Sequence, residues 1–547
     1  MLHELVRKHL ATFLEHTAAT YTAPLPRYVV DAFERYLICG DFSRGFIRCH
    51  CDDCGHDVLV AFSCKQRGLC PSCGARRMAN EAAVITDRVL PSAPVRQWVL
   101  SLPRELSGLA ATKPDVLTAL GRIFVEEIAR TTKRVASVAD SETGSLSFPQ
   151  RFGSSLNLHV HFHVVAIDGV FERGDGGVRL HETRPPEKDE VEEVAHRVHD
   201  RVVRWLRRHR YLDERPWEDR GNEPAEPTPL DGFSRIALAG GTFLARPFAP
   251  REHEDGTLER KPGRFAARHD GFDVHCAVRI AADDDEGRER LVRYCARPPF
   301  ALERIEEMKD GRISYLMKTP RRGSSHRVMT PMEFMARLAI LVPPPFYPLV
   351  RYHGVFAARS AWRALVTPKP PAGAPRNKPK PCPAAEKGSS AATTSAAPPT
   401  TASTPEPPKR APTHTASSPA EVPPASAAPT PTSALAPKAV APPLAPAVLG
   451  ALVALTTLTV KHWDRLLEGA LFATSSYVDW AVLLHRTFGF DALRCPRCDH
   501  RMRVISTIND PVVAKKILAH LGLRTDPLPR APARDPTGQT HFDFDAA

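Results

Sequence analysis

Apolar residues recur at three- and four-residue spacing in LVRKHLATFLEHT and again in RYVVDAFERYLICG, so residues 1–45 read as amphipathic helices. From residue 79 to 366 the pattern changes repeatedly between helical and alternating, which predicts an α+β domain. RQWVLSLP, from Arg96, reads as a strand, and Asp115 to Arg134 as a helix. LNLHVHFHVVAIDGVF, from Leu156, is the clearest strand of the chain. EKDEVEEVAHRVHDRVVRWLRRHR is a helix with acid at its start and base at its end, as the helix dipole favours. FDVHCAVRIA, from Phe272, reads as another strand, followed by a helix over DDEGRERLVRYCAR that Pro298 and Pro299 stop.

Composition then divides the chain. Residues 367–447 are mostly Pro, Ala, Thr and Ser, which cannot bury a core and predict a disordered tether. Beyond it, residues 448–525 read as a small unit with two helical stretches, a CPRC motif, the strand MRVISTI and a last helix; 526–547 reads as a disordered tail. The expected order is N-terminal helices (1–45), a zinc-binding module (46–90) forming one N-terminal domain with them, a main domain (91–366), the linker, the small unit and the tail. The net charge of +12 favours a polyanionic partner and speaks to association only. No N-terminal segment reads as a signal peptide, and AVLGALVALTTL near Ala447 falls short of the roughly 18 apolar residues a membrane span needs. The expectation is a cytoplasmic protein with no membrane partner, in which paired cysteines mean metal and not disulfides.

Seven of the twelve cysteines lie between Cys39 and Cys73. Cys51 and Cys54 form one C-x-x-C pair, Cys70 and Cys73 another, with fifteen residues between. Each pair can turn as a knuckle that presents two thiolates to one tetrahedral Zn²⁺, with Gly55 and Gly74 allowing the turn that follows. Cys64, and after it Cys49 or His50, is the alternative fourth ligand. Lys65, Arg67, Arg76 and Arg77 would make a basic rim suited to phosphate. Cys495 and Cys498 are half a zinc site, whose other half is His500, another cysteine or a second subunit. A redox role for that pair lacks the βαβ context it needs.

His159, His161 and His163 alternate along the clearest strand, so all three project from one face. Two neighbouring imidazoles on a rigid strand can chelate a divalent ion. The spacing leaves open which pair binds; Gln150 and Asp168 are near enough in sequence to supply a third ligand. Among the nine tyrosines, Tyr294 lies in GRERLVRYCARPP with Arg290, Arg293 and Arg297 at helical spacings around it. Arginines there could hold a phosphate and favour the phenolate. Taken alone, a tyrosine on an amphipathic helix is more often core, and Tyr315 and Tyr352 on strand-like segments compete with it.

Four ordered runs, VAFSCKQRGLCPSCGARRM, QRFGSSLNLHVHFHVVAIDGVF, LVRYCARPPF and LVRYHGVFAARS, resemble the rolling-circle insertion-sequence transposases, the HUH group of the IS-ninety-one type. The resemblance covers most of residues 1–366. The family's histidine–hydrophobe–histidine pattern falls on His161-Phe162-His163, and its catalytic tyrosine on Tyr294. Some relatives carry two tyrosines four residues apart on this helix; here position 290 is Arg and 298 is Pro, so the chain resembles a single-tyrosine version. The resemblance implies a ferredoxin-like antiparallel sheet with the histidines on a central strand, and RQWVLSLP and FDVHCAVRIA as neighbouring strands. It also implies Mg²⁺ or Mn²⁺ at the histidines, a 5′-phosphotyrosine intermediate, and single-stranded DNA at element termini and target as the partner. The other readings are a zinc-dependent DNA-binding protein without catalysis, and a plasmid replication initiator or relaxase with the same chemistry. A three-carboxylate transposase would leave the histidine strand unexplained.

Overall fold

The structure is a computed structural model that describes residues 1–175, 177–212, 227–238, 263–299, 302–321, 324–374 and 464–534. Most of the expected linker, the apolar stretch near Ala447 and residues 535–547 of the expected tail lie outside the described residues. The described residues fall in one unit that takes in residues 1–377 and 446–547.

The N-terminal part comprises α1 (Leu2–Thr20), α2 (Arg27–Leu37), the hairpin β1 (Phe46–His50) and β2 (Asp57–Ala61), and α3 (Pro71–Arg88). The main part begins with β3 (Val95–Ser101), α4 (Arg104–Thr112), α5 (Pro114–Ala136), β4 (Ser141–Glu142), β5 (Gly144–Phe152) and β6 (Leu158–Ile167). A small sheet of β4, β7 (Gly169–Gly174) and β8 (Gly177–Glu182) follows, then α6 (Lys188–Arg208) and α7 (Pro229–Leu238). Next come β9 (Ala266–His269), β10 (Phe272–His275), β11 (Arg279–Ile280) and α8 (Asp285–Ala296). A three-stranded sheet of β12 (Ile305–Glu307), β13 (Ile313–Arg321) and β14 (Ser324–Met329) precedes α9 (Pro331–Leu341), β15 (Arg351–Gly354) and α10 (Arg363–Val366). The C-terminal segment holds α11 (Trp480–Phe488), β16 (Arg503–Ile508) and α12 (Pro511–His520).

Local chemistry explains the ends of these helices. Proline occupies the first turn of α3, α5 and α9, where its missing N–H costs nothing. Glu187 and Glu190 close a capping box at the start of α6, and the Asp284 carboxylate accepts the Gly287 amide at the start of α8.

The chain is thus α+β, and its main sheet is antiparallel throughout. The strand order is β15-β5-β6-β3-β10-β9, with β11 also on β3. The histidine strand β6 lies inside this sheet, with β3 as one neighbour, as expected, and β5 as the other. FDVHCAVRIA is not a direct neighbour of β6: it breaks into β10 and β11, both paired with β3.

Alternation along β6 sorts its residues between two cores. Val160, Phe162 and Val164 enter the larger one, built with α1, α2, α4, α5, α6 and α9. Val165 and Ile167 enter the smaller one, with Leu146 and Phe148 of β5, Met78, Ala82 and Ile85 of α3, and Leu291, Val292 and Cys295 of α8. His161 and His163 share the parity of Val165, so the fold turns them toward α8.

The C-terminal segment does not form a unit of its own. β16 pairs antiparallel with β1, extending the N-terminal hairpin to three strands. α12 covers Phe46 through Ala514 and Leu518, and Leu483 of α11 packs on Ala79, Ala83 and Val84 of α3. Residues 526–534, expected in the disordered tail, are partly tied down: Arg7 donates to the Pro529 carbonyl at 2.8 Å, and the Arg534 amide donates to Thr12 Oγ1 at 3.0 Å. No helix among the described residues is long and apolar enough to cross a membrane.

Candidate functional site

Rigid backbone on both sides places the histidines. Across β6, Gln150 of β5 stands opposite His161, and Phe148 opposite His163. His161 and His163 are buried, with ring centroids 4.9 Å apart. His159 stacks on His161 at 5.0 Å, one strand step further out. Burial, with His163 and His159 alongside, holds the His161 pKa well below its ordinary value. Burial and the nearby Arg297 guanidinium push His163 down to about 4. Both imidazoles are therefore neutral at pH 7, the form in which histidine binds metal.

The hydrogen bonds decide which nitrogens are available. His161 Nδ1 donates to the His159 carbonyl at 3.0 Å, which leaves Nε2 as the lone pair. The Gln97 amide meets His163 Nδ1 at 2.8 Å and orients the ring. His163 Nε2 is buried without a hydrogen-bond partner. Gln150 donates to the Cys295 carbonyl at 2.7 Å, and its own Oε1 is buried and unpartnered. Two enclosed polar atoms without a hydrogen-bond partner, His163 Nε2 and Gln150 Oε1, beside His161 Nε2 fit a divalent cation.

Asp168 drops out as the third ligand. Its carboxylate is held by Arg96 at 2.8 Å and by Arg279 at 2.8 Å, and it stands an odd number of residues from His163, so the strand directs it elsewhere.

Tyr294 comes to the same place from α8. Its ring is edge-on to His163 with centroids 5.3 Å apart, and at 41% exposure it is open to solvent on the other side. Arg297 lies over the Tyr294 ring at 4.7 Å, with its Nε buried and unpartnered. Arg290 is on the outer face of α8, with Glu286 at 3.9 Å. Arg293 differs from the other two: it is buried and pairs with Glu289 at 2.6 Å, which makes it part of the packing of α8. The competing Tyr315 is buried on β13, and the Tyr352 ring packs into the smaller core from the edge strand β15.

The cysteines regroup relative to the sequence expectation. Cys51-Cys54 and Cys70-Cys73 do not face one another, because the first pair sits at the tip of the β1–β2 hairpin and the second at the start of α3. Cys70 and Cys73 instead close a set with Cys64, the alternative ligand, and Cys39, which the sequence reading missed. Within that set Cys39–Cys73 is 3.8 Å, Cys39–Cys70 3.6 Å and Cys64–Cys73 3.5 Å. These are the edges of a tetrahedron around zinc, for which Zn–S bonds of about 2.3 Å give S–S separations of about 3.8 Å. Cys39 was hidden because it follows α2 as a single cysteine, with no partner at C-x-x-C spacing. Cys51 and Cys54 lie with Cys495 and Cys498.

Gly55 turns after its pair with φ +69, as expected. Gly74 is inside α3 with ordinary helical backbone; a Cβ there would meet Pro298 at 3.0 Å, so its small size lets the residues after α8 approach the cysteine helix. The basic rim is largely committed. Arg67 donates to the Pro344 and Tyr347 carbonyls, Arg76 to the Tyr477 hydroxyl, and Arg77 is substantially buried; Lys65 is exposed.

Two stretches of the chain are similar to known protein families. Residues 5–102 match a family described as transposase zinc-binding domain, and residues 144–363 match one described as putative transposase. A protein of Sinorhizobium fredii described as a putative transposase is 24% identical over 314 residues, covering 56% of this chain and 69% of its own length. No solved structure matches the chain.

Proposed function

We propose that this chain, a transposase with an N-terminal zinc-binding domain, cuts and rejoins single-stranded DNA ends through a covalent link to Tyr294. The antiparallel sheet is read as an HUH-type nuclease sheet, and the activity as rolling-circle transposition. The observation that carries this reading is the Tyr294 ring packed 5.3 Å from His163, which brings a solvent-open phenol to two buried, neutral imidazoles.

His161 Nε2, His163 Nε2 and Gln150 Oε1 would hold Mg²⁺ or Mn²⁺, with His159 at the outer edge. When bound, that ion supplies polarisation of the scissile phosphate and neutralises charge that develops on it. Arg297, and Arg290 further out, hold the DNA phosphate near the phenol. The Tyr294 hydroxyl loses its proton to solvent and its oxygen attacks phosphorus in line. A P–O bond to tyrosine forms as the P–O3′ bond breaks, leaving a 5′-phosphotyrosine and a 3′-oxygen that takes up a proton. The link conserves the phosphoester, so an incoming 3′-hydroxyl can reverse the step on a new strand without ATP.

The test is incubation of the full chain with end-labelled single-stranded element termini and Mn²⁺. A covalent protein–DNA adduct is expected for the wild type and is lost in Tyr294→Phe and His161→Ala. An undiminished adduct in Tyr294→Phe would overturn the nucleophile.

A further inference from the structure

Cys495 and Cys498 stand far outside the segment that matches the zinc-binding domain, yet they meet its first cysteine pair. Cys51 Sγ is 3.4 Å from Cys498 Sγ, and Cys54 Sγ is 3.5 Å from Cys495 Sγ; all four sulfurs lie within 4.8 Å of one another. We infer that Cys51, Cys54, Cys495 and Cys498 form a second tetrathiolate zinc site, which clamps the C-terminal segment to the N-terminal hairpin.

The backbone supports this independently of the sulfur distances, because the two pairs adopt the same knuckle. In the first, the Gly55 amide donates to the Cys51 carbonyl at 2.9 Å and the Cys51 amide to the His56 carbonyl at 2.9 Å. In the second, the Asp499 amide donates to the Cys495 carbonyl at 2.9 Å and the Cys495 amide to the His500 carbonyl at 2.8 Å. Gly55 and Asp499 occupy the same left-handed position, with φ +69 and +65. Asp499 has no glycine's freedom there, so its backbone is held by the turn it closes. In the second knuckle the Arg497 amide also points at Cys495 Sγ, 3.5 Å away, as amides do toward metal-bound thiolates.

The surroundings complete the site. Each knuckle sits on a hairpin: β1–β2 for one, and for the other the pairing of Arg494 with Arg501 and of the Met502 amide with the Leu493 carbonyl. Pairing of β16 with β1 joins the two hairpins, and Ile47, Val58, Leu493 and Met502 pack around the sulfurs. The separations exceed the roughly 2.05 Å of a disulfide and match the roughly 3.8 Å edge of a zinc tetrathiolate. Four clustered thiols with no metal would have to share protons in a small space; as thiolates on one Zn²⁺ they also tie together residues distant in the chain.

The inference does not depend on the tyrosine chemistry, and its test reads metal. Zinc content of the purified full-length chain is expected to be two per molecule. Replacing Cys495 and Cys498 together by Ser should leave one, and replacing Cys39 and Cys64 together by Ser should remove the other. Cys498→His, which keeps a ligand, should retain two. If the double serine variants fail to fold, Co²⁺ titration of the metal-stripped wild type decides, with two equivalents developing thiolate charge-transfer absorption. One equivalent in the wild type, or two zinc ions persisting in the Cys495/Cys498 double variant, would overturn the second site.

Discussion

Arg486 on α11 and Glu289 on α8 form an ion pair at 3.0 Å with both side chains almost fully enclosed. Arg486 also makes a 3.0 Å bond to Asp87 of α3, itself fully buried, whose second oxygen accepts the Ala473 amide at 2.8 Å. One guanidinium therefore ties the C-terminal segment to the cysteine helix and to the helix that carries Tyr294. Removing it takes a cation from each of two buried carboxylates, leaving Asp87 with the Ala473 amide and Glu289 with Arg293. Arg486→Met should destabilise the fold by about 3–5 kcal/mol, read as a lower denaturant midpoint. Adduct formation should fall with it, because Glu289 lies on the same helix as Tyr294. An unchanged midpoint would show that the triad carries no weight.

Two of the three arginines around Tyr294 should separate by their environment. Arg297→Leu is expected to keep the melting temperature near that of the wild type while lowering adduct formation roughly 10²–10³-fold, as loss of one phosphate-holding group does. Arg293→Leu should lower the melting temperature, since it removes a buried cation that Glu289 pairs with alongside Arg486. Measuring both quantities for both variants distinguishes a DNA contact from a packing residue.

Gly121 of α5 faces Phe162, the residue between the two proposed ligand histidines. A Cβ at that position would meet the Phe162 ring at 2.8 Å. The helix backbone is ordinary there, so the cost is steric and not conformational. Gly121→Ala should destabilise the protein by about 1–3 kcal/mol and weaken Mn²⁺ binding by displacing β6. Gly121→Val should do more of both, and calorimetric titration with Mn²⁺ alongside thermal unfolding provides the check.

His353 on β15 links pH to stability away from the site. Its Nε2 lies 2.8 Å from Ser147 Oγ, and burial, with Arg351 nearby, lowers its pKa from 6.5 to about 4. The unfolded chain therefore takes up this proton before the folded chain does. The contribution of the neutral ring is present above pH 6.5 and is lost as pH falls toward about 4. Between pH 7.5 and 5 the melting temperature of the wild type should drop further than that of His353→Gln. Equal drops would contradict the shift.

Much of the site was legible because strand periodicity is local. His159-Val-His161-Phe-His163 announces one face of a strand, and the structure keeps that face together, with Gln150 directly across from His161. Tyr294 was readable as a helical residue among arginines, but its distinction from Tyr315 and Tyr352 came from family resemblance. Its approach to His163 depends on how α8 crosses the sheet. Arg293 and Asp168, the latter an open alternative to Gln150, could not be placed from sequence for a common reason. A charged residue looks the same in sequence whether it faces solvent or a buried partner, and here Glu289 and Arg96 are those partners.

The sequence by itself determined most of the element types, the face on which the histidines stand, and that the C-x-x-C pairs would belong to metal-type cysteine clusters. Each depends on neighbours within a few residues, where backbone geometry leaves little choice. Tertiary structure alone decided which cysteines meet: Cys70-Cys73 with Cys39 and Cys64, and Cys51-Cys54 with Cys495-Cys498. It also turned a supposed separate C-terminal unit into a third strand beside β1. Half of a tetrahedral site carries no information about its other half, because four sulfurs converge through the packing of whole hairpins and helices and not through spacing along the chain.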